Sequence, residues 1–204
     1  MQCCYFFWAV SALFDTKKTI YFCNMNMYFV ALICPEDINQ QILKWKLWMK
    51  EHHRCEVALR SPAHITLMPP FWMEPGLQDE LLNSLSGFSA KQQSFEVRLH
   101  NFSQFKPRVI FVDVVSNKQL NDLQSALFTY LLSEGRYPLK KEDRSFHPHV
   151  TIATRDLYKK SFYEAWDHFK DKKYDAEWTV KSISLLRHNK KNWDVIATSQ
   201  FQYD

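Results

Sequence analysis

The stretch "SFHPHVTIATR", residues 145–155, puts His149 and Thr151 two positions apart at the head of an apolar run, and "SPAHITLMPPF", residues 61–71, does the same with His64 and Thr66. Successive side chains of a strand point to opposite faces. His64 and Thr66 therefore share one face while Ile65 and Leu67 take the other, and His149 and Thr151 are set against Val150 and Ile152 in the same way. A single His-x-Thr is an ordinary strand fragment. Two of them, 85 positions apart, need an explanation.

The surroundings repeat as well. Ahead of His64, "MYFVALI" (27–33) has the branched and aromatic make-up of a buried strand. "PEDINQQILKWKLWMKEHH" (35–53) follows as a helix with acidic residues in its first turn and Ile38, Ile42, Trp45 and Met49 on one stripe. Past the motif, "LQDELLNSLSGF" (77–88) predicts a second helix and "SFEVRLHNF" (94–102) a strand. Around His149 the series starts again with the strand "RVIFVDVV" (108–115). The helix "SNKQLNDLQSALFTYLLSEG" (116–135) comes next, capped by Ser116 or Asn117, striped by Leu120, Leu123, Leu127 and Tyr130, and closed by Gly135. After that motif, "SFYEAWDHFKD" (161–171) predicts a short helix, and "WTVKSISLLRH" (178–188) and "WDVIATSQF" (193–201) predict closing strands. Phe29 precedes His64 by 35 positions and Ile110 precedes His149 by 39, so each motif arrives at nearly the same point of its unit.

A repeat of this length suits two copies of an α+β lobe rather than a solenoid. The expected fold is α+β, duplicated and two-lobed, with repeats over roughly 27–107 and 108–204. Each lobe is a small, mainly antiparallel sheet with helices on its outer face, and a pseudo-twofold cleft lies between them. Residues 27–204 then form a single bilobed domain, and residues 1–26 an extension outside the fold. "MQCCYFFWAVSALF" is apolar for about a dozen residues, short of a bilayer span, and it lacks the positive start of a signal peptide.

Hydrophobic residues make up 46% of the 204-residue chain and charged ones 24%, the balance of a globular protein with a real core. A net charge of +4 admits a phosphate-bearing ligand but is far from that of a protein coating nucleic acid. Five cysteines without a Cys-x-x-Cys or zinc spacing point to a reducing, cytoplasmic setting. Three glycines exclude a glycine-rich phosphate loop, so side chains or helix ends must hold any phosphate.

Two imidazoles and two hydroxyls facing one cleft suit a tetrahedral anion with a leaving oxygen. Breaking a phosphodiester without a metal requires that water lose a proton and the departing oxygen gain one. Histidine reaches both protonation states near neutral pH, and threonine hydroxyls can donate to non-bridging oxygens. The fragment "HPH" imitates a metal motif, but Pro148 fixes the backbone between His147 and His149 and no third ligand stands at a typical distance, so no metal is expected. His52 and His53 read as cations beside a helix C-terminus, and His100, His168 and His188 as surface or core residues. Phe71, Trp72 and Phe146 are candidates to stack on a base, and Lys140, Lys141 and Arg144 to meet an RNA backbone.

His64-Ile65-Thr66-Leu67 and His149-Val150-Thr151-Ile152 resemble the paired signature of the 2H phosphoesterase superfamily. "MYFVALICPEDINQQI", "HITLMPPF" and "FHPHVTIATR" are similar, in order, to its bacterial 2′-5′ RNA ligase / RNA 2′,3′-cyclic phosphodiesterase branch. The resemblance runs from Met27 to the C-terminus. It implies His64 and His149 as catalytic acid and base, Thr66 and Thr151 as phosphate ligands, and no metal or other cofactor. It also implies hydrolysis of 2′,3′-cyclic phosphate ends to 2′-phosphates, with 2′-5′ ligation as the reverse. Arg155, one position beyond the branch's usual spacing, is the candidate third phosphate contact. The partner expected is an RNA end or small cyclic nucleotide, with no membrane and a monomeric chain. The alternative is a non-catalytic module that binds RNA or nucleotide phosphate in the same cleft.

Overall fold

Apolar residues at strand and helix periods build the elements in the expected order. The computed structural model describes residues 25–139 and 145–202. The basic loop residues Lys140, Lys141 and Arg144 lie outside these residues, as does the N-terminal extension up to residue 24. Strand β1 (Asn26–Ile33) runs into α1 (Glu36–His53), which ends where Arg54 takes a left-handed conformation; its N–H donates to the Lys50 carbonyl, and the Cys55 N–H to that of Met49. A 3-10 turn (Val57–Arg60) leads into β2 (His64–Met73), α2 (Gln78–Ser89) and β3 (Phe95–Phe105). The second series is β4 (Val109–Val114), α3 (Lys118–Ser133), β5 (His149–Ala153) and α4 (Lys159–Phe169). Of the two predicted caps of α3, Asn117 is used: its side-chain oxygen accepts from the Leu120 N–H at 3.0 Å. Gly135 follows at φ +66°, the left-handed region that a helix exit favours.

The stripe of α1 departs from expectation at one position. Ile38, Ile42 and Met49 are buried as predicted, but the fourth buried residue is Lys46. Trp45 lies at the flank, edge-on to Phe102 and Tyr174 at 4.8 Å each.

The expected strand over 178–188 is two strands, β6 (Asp175–Val180) and β7 (Ser182–His188), and β8 (Trp193–Gln200) follows. All eight strands form one antiparallel sheet in the order β6-β3-β4-β5-β2-β1-β7-β8. The lobes are the two halves of this sheet, meeting where β2 lies beside β5. Those halves do not coincide with the contiguous stretches 27–107 and 108–204. Each motif strand already has neighbours on both edges, so the third strand of each unit has to go outside. β3 crosses to β4 in the other half, and β7 returns to β1.

One face of the sheet carries the main core, where Ile65, Leu67, Val150 and Ile152 pack with Ile42 of α1, Leu81 of α2, Leu120 of α3 and Phe162 of α4. Phe29, Ala31 and Leu186 form a separate small cluster with Ile33 and Trp193. That second cluster stands on the face that the His-x-Thr side chains share.

Candidate active site

Ile65 and Val150 are direct partners in the antiparallel pairing of β2 with β5. The register follows for their neighbours: His64 stands opposite Thr151, and Thr66 opposite His149. The two histidines are thus diagonal to each other across the junction, a relation that sets such residues roughly 7–8 Å apart. Both motifs are brought together, on the face away from the main core.

Each imidazole is oriented by its own lead-in. Nδ1 of His64 lies 2.8 Å from the Pro62 carbonyl, and Nδ1 of His149 lies 2.7 Å from the His147 carbonyl. A carbonyl only accepts, so both rings carry their hydrogen on Nδ1, and Nε2 is left to exchange a proton. The lead-in to His64 is itself held: Asn39 Oδ1 accepts from the Ala63 N–H at 2.8 Å, and the Cys34 N–H donates to the Ala63 carbonyl at 3.0 Å.

The environments of the two rings differ. His64 packs against Phe29, the rings tilted by 37° with centroids 4.9 Å apart, and Phe29 meets Trp193 edge-on at 4.6 Å. Burial pushes His64 down to about 4; the Pro62 carbonyl opposes that shift, while Lys46 and His149 add to it. His149 packs on Phe111 and Phe105 at 4.8 and 5.2 Å. Burial lowers it too, but the Asp113 carboxylate, its partner on β4, pulls the other way. Asp113 also lies 3.4 Å from Nε2 of His147.

A groove runs past both motifs and widens on either side of Thr66. The His64 side is a recess of about 310 Å³ whose lining includes Thr66, Thr151, Arg60, Arg155, His188 and Trp193. The His149 side, about 870 Å³, is bounded by Phe105, Phe128, Phe146 and Pro69 with Gln124 and Thr129. Asp156 braces the first recess, accepting from the backbone N–H groups of Glu56 and Val57 at 2.6 and 2.9 Å. That contact fastens the turn bearing Arg60 to the segment bearing Arg155.

Of the other candidates, Arg155 lines the His64 recess with Thr66 and Thr151, and Phe146 lines the His149 side. Phe71 does not reach the groove. It pairs with Tyr28, a main-core residue of β1, past register shifts that interrupt the alternation of β2, and is 8% exposed. Trp72 is exposed but is not part of either lining. His188 reads from the sequence as an uninvolved surface or core residue; it lines the His64 recess beside Trp193. Phe105 and Asp113 carry no motif and reach the site only through the pairing of strands distant from them in sequence, whereas Arg60 sits in the 3-10 turn four positions before His64. Among the described residues no group of three His, Cys, Asp or Glu side chains could hold a metal ion, and no helix is long and apolar enough to cross a membrane.

The chain is 28% identical over 140 residues to a Geobacillus thermodenitrificans protein named "Putative phosphoesterase", covering 67% of this chain and 77% of that one. Its fold is similar to that of E. coli LigT complexed with 3′-AMP, at a TM-score of 0.65 and 18% identity, covering 88% of this chain and 99% of LigT. It is also similar to TT0787 of Thermus thermophilus, at a TM-score of 0.59 and 17% identity over 87% and 99% of the two chains. The family model of the 2′-5′ RNA ligase superfamily matches residues 34–192, a span that takes in both motifs. On that match, the chain belongs to the 2′-5′ RNA ligase superfamily, the 2H phosphoesterases, whose membership supports a phosphoesterase-type function.

Proposed function

We propose that this protein hydrolyses 2′,3′-cyclic phosphates, on RNA ends or small nucleotides, to 2′-phosphates by metal-independent acid–base catalysis. The observation that carries the reading is the diagonal pair of imidazoles, both tied through Nδ1 to backbone carbonyls and both flanked by a threonine hydroxyl. In the step, a water oxygen bonds to phosphorus as its proton passes to Nε2 of one neutral histidine. The P–O3′ bond breaks, and O3′ takes the proton held on Nε2 of the other, now protonated, histidine. Thr66, Thr151 and Arg155 donate to the non-bridging oxygens, where negative charge builds. The same step with a 5′-hydroxyl in place of water would form a P–O5′ bond as P–O3′ breaks, leaving a 2′-5′ phosphodiester.

Substrate placement follows the two recesses. The aromatic side, with Phe146, Phe128 and Phe105, offers a base a stacking surface of a kind worth about 1–3 kcal/mol per base. The side with Arg60 and Arg155 suits a further phosphate. That LigT has been solved with 3′-AMP is in keeping with a nucleotide in such a cleft.

The test is incubation with a 2′,3′-cyclic nucleotide in the presence of EDTA, with the product identified by 31P NMR. A 2′-phosphate product supports the reading. Tight binding of a 2′-nucleotide with no turnover at any pH would favour a non-catalytic binding module instead.

A further inference from the structure

Lys46 is 3% exposed, the one charged side chain in the buried stripe of α1, although lysine is a residue that folding ordinarily leaves at the surface. Its Nζ donates to the Ser61 carbonyl at 3.0 Å, and among the described residues no carboxylate forms an ion pair with it. A buried ammonium without a counter-ion is unfavourable, so its balancing charge has to come from somewhere.

The residue that Lys46 holds belongs to the wall of the cleft. Ser61 lines the His64 recess, and the residue after it, Pro62, supplies the carbonyl that orients the His64 ring. Asn39, seven positions before Lys46 and so on the same face of α1, holds Ala63. Two side chains of one helix thus grip the three residues that lead into His64, with the ammonium behind the wall of the recess.

We propose that Lys46 is a positioning residue of this site: its ammonium fastens the backbone carrying His64 and sets a fixed positive charge behind the bound phosphate, which supplies the missing counter-charge. The proposal rests on the phosphoesterase reading above. Burial pushes Lys46 down to about 8, with the nearby Cys34 thiol opposing that, so the side chain is still charged at neutral pH. Its charge is one of the causes that disfavour a proton on His64. The other groups in play are Asp37 beside Cys34 on the helix side, and Arg60, Arg155, His188 and His149 around the cleft. A cation fixed at Lys46 keeps His64 neutral and ready to accept the proton of the attacking water. His149, with the Asp113 carboxylate beside it, is the better holder of the proton destined for O3′.

The experiment compares the full chain with Lys46→Met and Lys46→Gln. Imidazole NMR titration should show His64 taking up its proton at a higher pH in either folded variant, and inorganic phosphate should bind roughly tenfold more weakly. A folded variant with the His64 titration and phosphate affinity of the wild type overturns the proposal. If both variants fail to fold, the wild type decides. By linkage, saturating inorganic phosphate must raise the pH at which Lys46 itself titrates. An unmoved Lys46, or a wild type that binds no phosphate, overturns the proposal as well. None of these readouts needs turnover, so they stay distinct from a failure of the hydrolysis reading.

Discussion

Ile65 and Val150 face each other across the junction of β2 and β5, both fully buried, and this one pair fixes how the four polar side chains of the two motifs meet. Truncating either residue should loosen the junction as well as the core. Ile65→Ala is expected to cost about 2–5 kcal/mol in urea unfolding. Under conditions where the variant is still folded, its kcat/KM should also fall, because the spacing of the imidazoles depends on that contact.

Stability should depend on pH through the histidines. Above about pH 6.5, the ordinary histidine value, neither the folded nor the unfolded chain protonates them, and their contribution is fully present. As pH falls from there, the unfolded chain takes up protons that the folded chain refuses at His64, held down to about 4, and at His149. The unfolding midpoint should therefore drop between about pH 6.5 and 4, and His64→Gln should flatten that slope. A slope identical to that of the wild type would contradict the depressed His64.

Asp113 favours the charged form of His149. Asp113→Asn should move the titration of His149 to lower pH, and with it the alkaline limb of the kcat/KM profile. His64 should be little changed, since the charges that act on it are those of Lys46 and His149. NMR titration of both rings in the variant measures this directly.

Phe146 and Phe71 make a matched contrast. Phe146→Ala, in the groove and only partly packed on the core, should raise KM for a cyclic nucleotide severalfold and cost less stability than the loss of a buried ring. Phe71→Ala, in the core, should cost about 3–5 kcal/mol of stability with little effect on KM at a temperature where the variant is folded. Urea unfolding and steady-state kinetics on both variants separate the two roles.

Much of this is legible in the sequence because period and punctuation carry it. The two His-x-Thr strands and the stripes of α1 and α3 are local patterns, and strand alternation puts the two polar side chains of each motif on one face of its strand. Crossed pairing is not legible. Nothing near residues 95–105 says that β3 will lie beside β4 rather than in its own unit. For the same reason Asp113 could not be assigned to the site: it reaches His149 through strand pairing with a residue distant in sequence. Nearness to a motif misplaces Phe71, and the register shifts of β2 beyond Thr66 cannot be read from the sequence. Lys46 is hidden in plain view, since a lysine on a helix reads as surface until packing shows otherwise.

In the proposed mechanism His64 and His149 act as one acid–base unit on a single phosphate. The direct measurement is kcat/KM on a 2′,3′-cyclic nucleotide, with EDTA present, for His64→Ala, His149→Ala and the double substitution. Each single variant should lose at least about 10²-fold. The double variant should be far less impaired than the product of the two losses, because residues that act as a unit are non-additive. Wild-type rates in either folded single variant, or losses that simply multiply, would contradict the account.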